Sequence, residues 1–212
     1  MDITKYEHAC LDIKQDNQRL IIDPGGFTAL LTDFSNVCAV VITHQHADHL
    51  NPELLQKIAN GSPKVKIFTA QDVVSKLDRA LDVTEVSNGS YVNIGPFNLK
   101  FFGGEHATIH SSYPAVQNVG VMINDKLYYP GDALLNPGVS VEVLAVPAHA
   151  PWMKTSETID FILAIKPKKV FPTHNGFINQ DGHDLYKRLL GSTVESVDGE
   201  YIDLSPGSFI SV

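Results

Sequence analysis

The chain has 212 residues, 43% of them hydrophobic, enough for one sizeable domain with a buried core. Its 24 acids against 16 bases give a formal charge of -8, and there is no run of Lys or Arg, which argues against a general nucleic-acid binder. No segment has the apolar length of a membrane span, MDITKYEHAC lacks the apolar core of a secretion signal, and Cys10 and Cys38 read as core thiols of a reducing compartment, so the expectation is a cytoplasmic protein with no membrane partner.

Residues 9–14 and 19–22 flank a polar Gln-Asp-Asn-Gln stretch and read as a strand pair, closed by the turn Asp23-Pro24-Gly25-Gly26. Residues 37–42 are a continuous, mostly β-branched run, as in a strand covered on both faces. Asn51-Pro52-Glu53 predicts a helix start with Asn51 as its cap, and Asn60-Gly61 its stop. A strand over 65–68 follows, then a helix over 70–81 from the spacing of Val73, Val74, Leu77 and Leu81. Strands return over 91–102, broken at Gly95-Pro96, and 119–123 pairs with 126–129 through Asn124-Asp125. A strand over 141–146, a helix over 156–165, a short strand over 169–171 and a helix near 183–190 complete the chain. No linker or repeat divides it, so residues 1–212 read as a single domain in which helices cover stacked sheets, an α/β arrangement.

Directly behind the run at 37–42, His44-Gln-His46-Ala-Asp48-His49 crowds three imidazoles and a carboxylate into six positions. Chance produces this pattern in roughly 10⁻³ of chains of such composition, so metal binding is the reading it supports. In an extended loop alternate residues project to one side, so His44 and His46 can grip one cation while Gln45 points away. Asp48 and His49 reach that ion only through a sharp turn, but a second ion a few Å off suits them. Two ions need more than four ligands. His106, Asp132 and His174 each follow an apolar run in a Gly- or Pro-bearing loop, where a rigid strand can fix a ligand, with Asp132 as the bridging carboxylate. Taken singly, each would more often be a cap or surface group. Imidazole and carboxylate without thiolate favour two catalytic divalent ions, zinc first and manganese, iron or nickel after it.

These residues resemble the metallo-β-lactamase superfamily, marked by Thr43-His44-Gln-His46-Ala-Asp48-His49, His106, Gly131-Asp132 and Thr173-His174 in that order. More narrowly, Glu7-His8-Ala9, Ile22-Asp23-Pro24, Tyr129-Pro-Gly-Asp132 and Phe171-Pro-Thr-His174 are similar to compact metal-dependent hydrolases related to ascorbate-phosphate lactonase. The resemblance implies a four-layer αβ/βα sandwich with the metals at one rim. It implies His44, His46 and His106 on one ion, Asp48, His49 and His174 on the other, Asp132 between them, and a catalytic role for Asp48 in orienting or deprotonating the attacking water. His110, in His110-Ser-Ser-Tyr, competes with His106 for the ligand position; His106 is preferred because it directly ends the strand, while His110 can face the substrate.

Asp23 reads either as an acceptor for a ligand imidazole or as an ordinary Asp-Pro-Gly turn, with Thr43 and Thr173 able to do similar work. His8 either lines the pocket or is a structural histidine. In Pro147-Ala-His149-Ala-Pro-Trp152, His149 and Trp152 contact substrate or merely stiffen a loop. The function expected is hydrolysis of a small anionic ester, a phosphodiester or phosphorylated lactone, by water activated between two metals. An RNA-processing nuclease and a non-catalytic metal sensor are the alternatives, the first weakened by the absence of a basic arm. Homo-oligomerisation, common among the related lactonases, stays open as a partner.

Overall fold

The polar stretch at 15–18 makes a tight turn because Asp16 and Asn17 both adopt the positive φ, 49° and 60°, that a two-residue hairpin requires and that Asp and Asn tolerate. It joins β2 (Leu11–Gln15) to β3 (Gln18–Ile22). In the computed structural model, which describes residues 1–212, β1 (Asp2–Lys5) and β14 (Phe209–Ser211) extend this pair on one side. On the other side β4 (Val37–Ile42), β5 (Lys66–Thr69) and β6 (Val83–Glu85) add in parallel, giving a seven-stranded sheet of order β14-β1-β2-β3-β4-β5-β6. The second sheet also has seven strands. Its antiparallel half is β7 (Tyr91–Ile94), β8 (Phe97–Gly103), β9 (Val119–Ile123) and β10 (Leu127–Tyr129); β11 (Val143–Pro147), β12 (Lys169–Thr173) and β13 (Glu200–Tyr201) continue it in parallel.

Side-chain alternation along these strands decides which layer each residue joins. Leu20, Ile22, Ala39 and Val41 point between the sheets and meet Phe97, Leu99, Phe101, Val121 and Ile123 in the central core. Their neighbours Ile21, Val40, Ile42 and Ile67 point outward onto Leu54, Leu55 and Ile58 of α1 (Pro52–Gly61). On the far side Met122, Tyr128, Leu144, Val146 and Val170 take Phe161 and Ile162 of α3 (Thr155–Ile165) and Leu190 and Val194 of α4 (Gln180–Glu195). The result is the helix-sheet-sheet-helix sandwich expected. Cys10 and Cys38 are free thiols, and no helix is long and apolar enough to cross a membrane.

Two expectations need correction, and four short strands went unexpected. The helix expected over 70–81 is only α2 (Gln71–Val74): beyond it Lys76 and Leu77 bond back three residues, and Asp78 accepts the N–H of Ala80, a local bond that competes with helix propagation. Leu77 and Leu81 still pack on the outer core, which is why their spacing looked helical. The last helix begins earlier and ends later than 183–190, with Asn179 as its cap. Strands β1, β6, β13 and β14 carried too little pattern to be read; they are two to four residues long, and β1 pairs with β14 from the opposite end of the chain, Asp2 facing Ser211.

Candidate metal centre

Strand ends converge on one rim of the sandwich. Asp23 follows β3, the His44–His49 loop follows β4, His106 follows β8, Asp132 follows β10 and His174 follows β12, while His8 sits between β1 and β2. The 43–50 loop is clamped by the turn before it: Gly26 N–H bonds the Ala47 carbonyl and Asn51 N–H the Pro24 carbonyl. A Cβ on Gly25 would fall 1.7 Å from the carbonyl oxygen of Asp48, so only glycine allows the two loops to touch. At its far end the loop runs into α1, where Asn51 Oδ1 accepts the N–H groups of Glu53 and Leu54 as the sequence predicts.

Three groups of potential ligand atoms form, each with its atoms within 4.8 Å of one another: His44, His46 and His106; His44, His49 and Asp132; and His8, Asp48, His49 and His174. Asp132 lies at the middle, with Oδ1 3.2 Å from His49 Nε2 and Oδ2 3.4 Å from His106 Nε2 and 3.0 Å from His174 Nε2. Asp48 Oδ2 lies 3.4 Å from His174 Nε2. His110 is elsewhere: it is exposed, its Nδ1 accepts from Ser112 N–H and Oγ, and it lines a cavity of about 340 Å³ bordered by His46 and His106. That size is within the range of small-molecule sites.

The hydrogen bonds behind the imidazoles are what orient them. His49 Nδ1 meets Asp23 Oδ2 at 2.6 Å, His174 Nδ1 the carbonyl of His149 at 2.7 Å, His44 Nδ1 the Thr43 hydroxyl at 3.0 Å, and His106 Nδ1 the carbonyl of Ala107. Each Nδ1 thus has an acceptor, so that each ring, in the neutral form that ligates a cation, turns the lone pair of Nε2 into the cluster. Nε2 of His44, His49, His106 and His174 and Oδ1 of Asp132 are buried with no hydrogen-bond partner. Five inward-facing polar atoms without partners would be costly in a folded protein, and divalent cations are the partners this ligand set fits.

Asp23 is the hub of that outer layer. Fully buried, it also accepts Thr43 N–H and Oγ–H, both at 2.7 Å, and lies 2.9 Å from the Tyr129 hydroxyl. Three partners went unread in the sequence. Tyr129 lies within a motif, but its hydroxyl gave no sign of its target. Asn118, a lone loop residue with no signal, holds the Asp132 loop by accepting Asp132 N–H and donating to the Pro130 carbonyl. Trp152 donates Nε1–H to Asp132 Oδ2 at 2.8 Å. His149 contributes its carbonyl to His174 while its ring turns away to the Tyr186 hydroxyl.

Electrostatics in the metal-free chain point the same way. Burial disfavours the charged form of His49, yet the Asp132 and Asp23 carboxylates outweigh it and hold the pKa well above the ordinary histidine value. His174 is likewise pushed up to about 9 against its burial, chiefly by Asp132. Asp132 is held well below the usual carboxylate range, its burial overcome by His49 and His174. His44, buried and beside His49, is pushed well down and stays neutral. Clustered carboxylates thus draw positive charge to the rim, a demand that cations would also meet.

Residues 2–174 match the family described as "Beta-lactamase superfamily domain". The chain belongs to the metallo-β-lactamase superfamily. Among its relatives is protein Rv0786c of Mycobacterium tuberculosis, 32% identical over 191 residues, 88% of this chain and 89% of that protein. A UPF0173 metal-dependent hydrolase of Methanocaldococcus jannaschii is 28% identical over 92% of this chain and 95% of its own. The solved structure of Igni18, a metallo hydrolase from Ignicoccus hospitalis, superposes with a TM-score of 0.77 at 18% identity, covering 99% of this chain and 97% of that one. With such relatives and a His/Asp cluster able to hold metal, this member of the superfamily is, at the coarse level, a metal-dependent hydrolase.

Proposed function

We propose that the protein hydrolyses a small anionic ester with water activated at a two-metal centre. His44, His46 and His106 would hold one ion, Asp48, His49 and His174 the other, and Asp132 would lie between them. The observation that carries this reading is the set of bare Nε2 atoms and the Asp132 oxygen, too many ligands for one tetrahedral ion. When bound, divalent ions, zinc ahead of manganese, iron or nickel, supply an acidified water and positive charge for the reacting oxygen. The chain's own residues do the rest. Asp48, whose side chain is the most exposed of the cluster carboxylates, would orient that water or accept its proton. Asp132 and Trp152 fix the centre of the site.

The surroundings favour a phosphodiester over a phosphorylated lactone. The cavities bordering the 105–110 segment contain Glu105, Glu157 and Asp160 but no Lys or Arg. A phosphate remote from the scissile bond would meet no protein cation there, whereas a phosphodiester carries its charge where the metals sit. The same absence weighs against a long RNA substrate.

Elemental analysis should find two ions per chain, and the loaded protein should hydrolyse bis-p-nitrophenyl phosphate faster than any phosphorylated lactone. Asp48→Ala should lower kcat by about 10²–10⁴-fold. Full metal content with no turnover of either substrate class would overturn the small-ester assignment and weigh toward the metal-sensor alternative.

A further inference from the structure

His8 is surrounded too specifically for a filler of the core. It is 1% exposed, lies between β1 and β2, and holds a φ of 57°, a left-handed conformation uncommon outside glycine. Its carbonyl accepts the N–H of His174 at 2.9 Å, and its Nδ1 accepts the N–H of Gly176 at 3.1 Å. A neutral imidazole has one lone-pair nitrogen. With Nδ1 occupied as acceptor, Nε2 must carry the hydrogen, the reverse of His44, His49, His106 and His174. His8 therefore has no lone pair to offer a cation. What it presents to the cluster is an N–H, 3.2 Å from Asp48 Oδ2. The rings of Phe27 and Phe177 pack on it with centroids at 5.3 and 4.8 Å.

We propose that His8 is the positioning residue for Asp48, its Nε2–H fixing the carboxylate so that Asp48 faces the ion held with His49 and His174 instead of swinging into solvent. Asp48 needs such a restraint because its side chain is 19% exposed, against 4% for Asp132 and none for Asp23. The proposal rests on the two-metal reading above only for its functional readout.

Two variants copy one ring nitrogen each. His8→Asn tolerates the left-handed backbone and can still accept from Gly176, but is too short to reach Asp48; His8→Gln places an amide N–H near the Nε2 position and can reach it. Zinc and cobalt(II) are titrated into the metal-free proteins, with bound ions counted by elemental analysis and the cobalt site followed by its visible absorption. His8→Asn should weaken one of two ions by about 10–100-fold and lower kcat for bis-p-nitrophenyl phosphate by about 100-fold with KM within about threefold; His8→Gln should recover both to within about fivefold of the parent protein. Thermal melting of the metal-free proteins checks that all are folded. Unaltered metal affinity in His8→Asn, or equal damage in both variants, overturns the proposal. Nitrogen-15 NMR of the metal-free parent protein should show His8 as the Nε2–H tautomer with a slowly exchanging proton. An Nδ1–H tautomer sinks the proposal even if two ions bind, whereas the expected tautomer without any metal uptake would support the His8–Asp48 contact and reject the hydrolase reading.

Discussion

Asp23 shows how far one carboxylate can reach. In sequence it is the first residue of an Asp-Pro-Gly turn; in space it takes hydrogen bonds from both polar groups of Thr43 and from His49 Nδ1, with the Tyr129 hydroxyl also against it. Neutralising it without changing its shape should loosen a ligand imidazole while leaving every ligand in place. Asp23→Asn is expected to reduce metal affinity by about 10–100-fold, read by competition against a chelator. Unchanged affinity would reduce Asp23 to a turn residue. The difference between His106 and His110 has the same character. Four residues apart in one loop, they are both credible ligands on paper, yet one has its Nδ1 on a neighbouring carbonyl and Nε2 inward, and the other is held by Ser112 at a cavity wall.

At the scale of elements, the metal loop is fixed by what precedes and follows it. Gly25 allows contact with the Asp48 carbonyl; Gly25→Ala puts a methyl inside the backbone of that loop, and we expect a loss of about 2–4 kcal/mol in denaturant unfolding together with weaker metal binding. A stable Gly25→Ala variant with normal metal uptake would show that the clamp is dispensable. Asn51→Ala removes the cap of α1 and should cost about 1 kcal/mol with metal content intact, since the cap holds the helix and not the ligands. These elements were legible because their signals are local: a Pro at the first helical position, a β-branched run, an Asn-Asp pair whose residues both take positive φ. The α2 region departs from the expected helix because a succession of turns packs Leu77 and Leu81, both partly buried, at helical spacing without helical hydrogen bonds.

For the whole molecule, the charge at the rim links metal, pH and stability. His174, pushed up to about 9, and His49, also raised, contribute stability to the metal-free protein that is fully present below their unfolded value near 6.5 and is lost as pH rises through their folded values. Asp48 and Asp132 are depressed, so their contribution is present above about 3.8 and fades in acid. Metal binding has the opposite trend, because imidazoles must be neutral to ligate and cation binding expels their protons. The Tm of metal-free protein should therefore fall between pH 6.5 and 9 while the gap to metal-loaded protein widens. A constant gap in paired thermal scans with and without chelator would contradict this.

The sequence by itself determined the alternation of strands and helices that puts helices over stacked sheets, and the spacing of His44, His46, Asp48 and His49 behind a buried strand, since both depend on neighbours within a few residues. Only the tertiary structure decided which distant side chains stand behind the ligands: Tyr129 against Asp23, Trp152 on Asp132, Gly176 on His8. The physical reason is that a hydrogen bond constrains two groups in space and leaves no periodicity along the chain. The orientation of each imidazole, and with it which nitrogen is free for a cation, follows from bonds between strands that meet only once both sheets have closed on their common core.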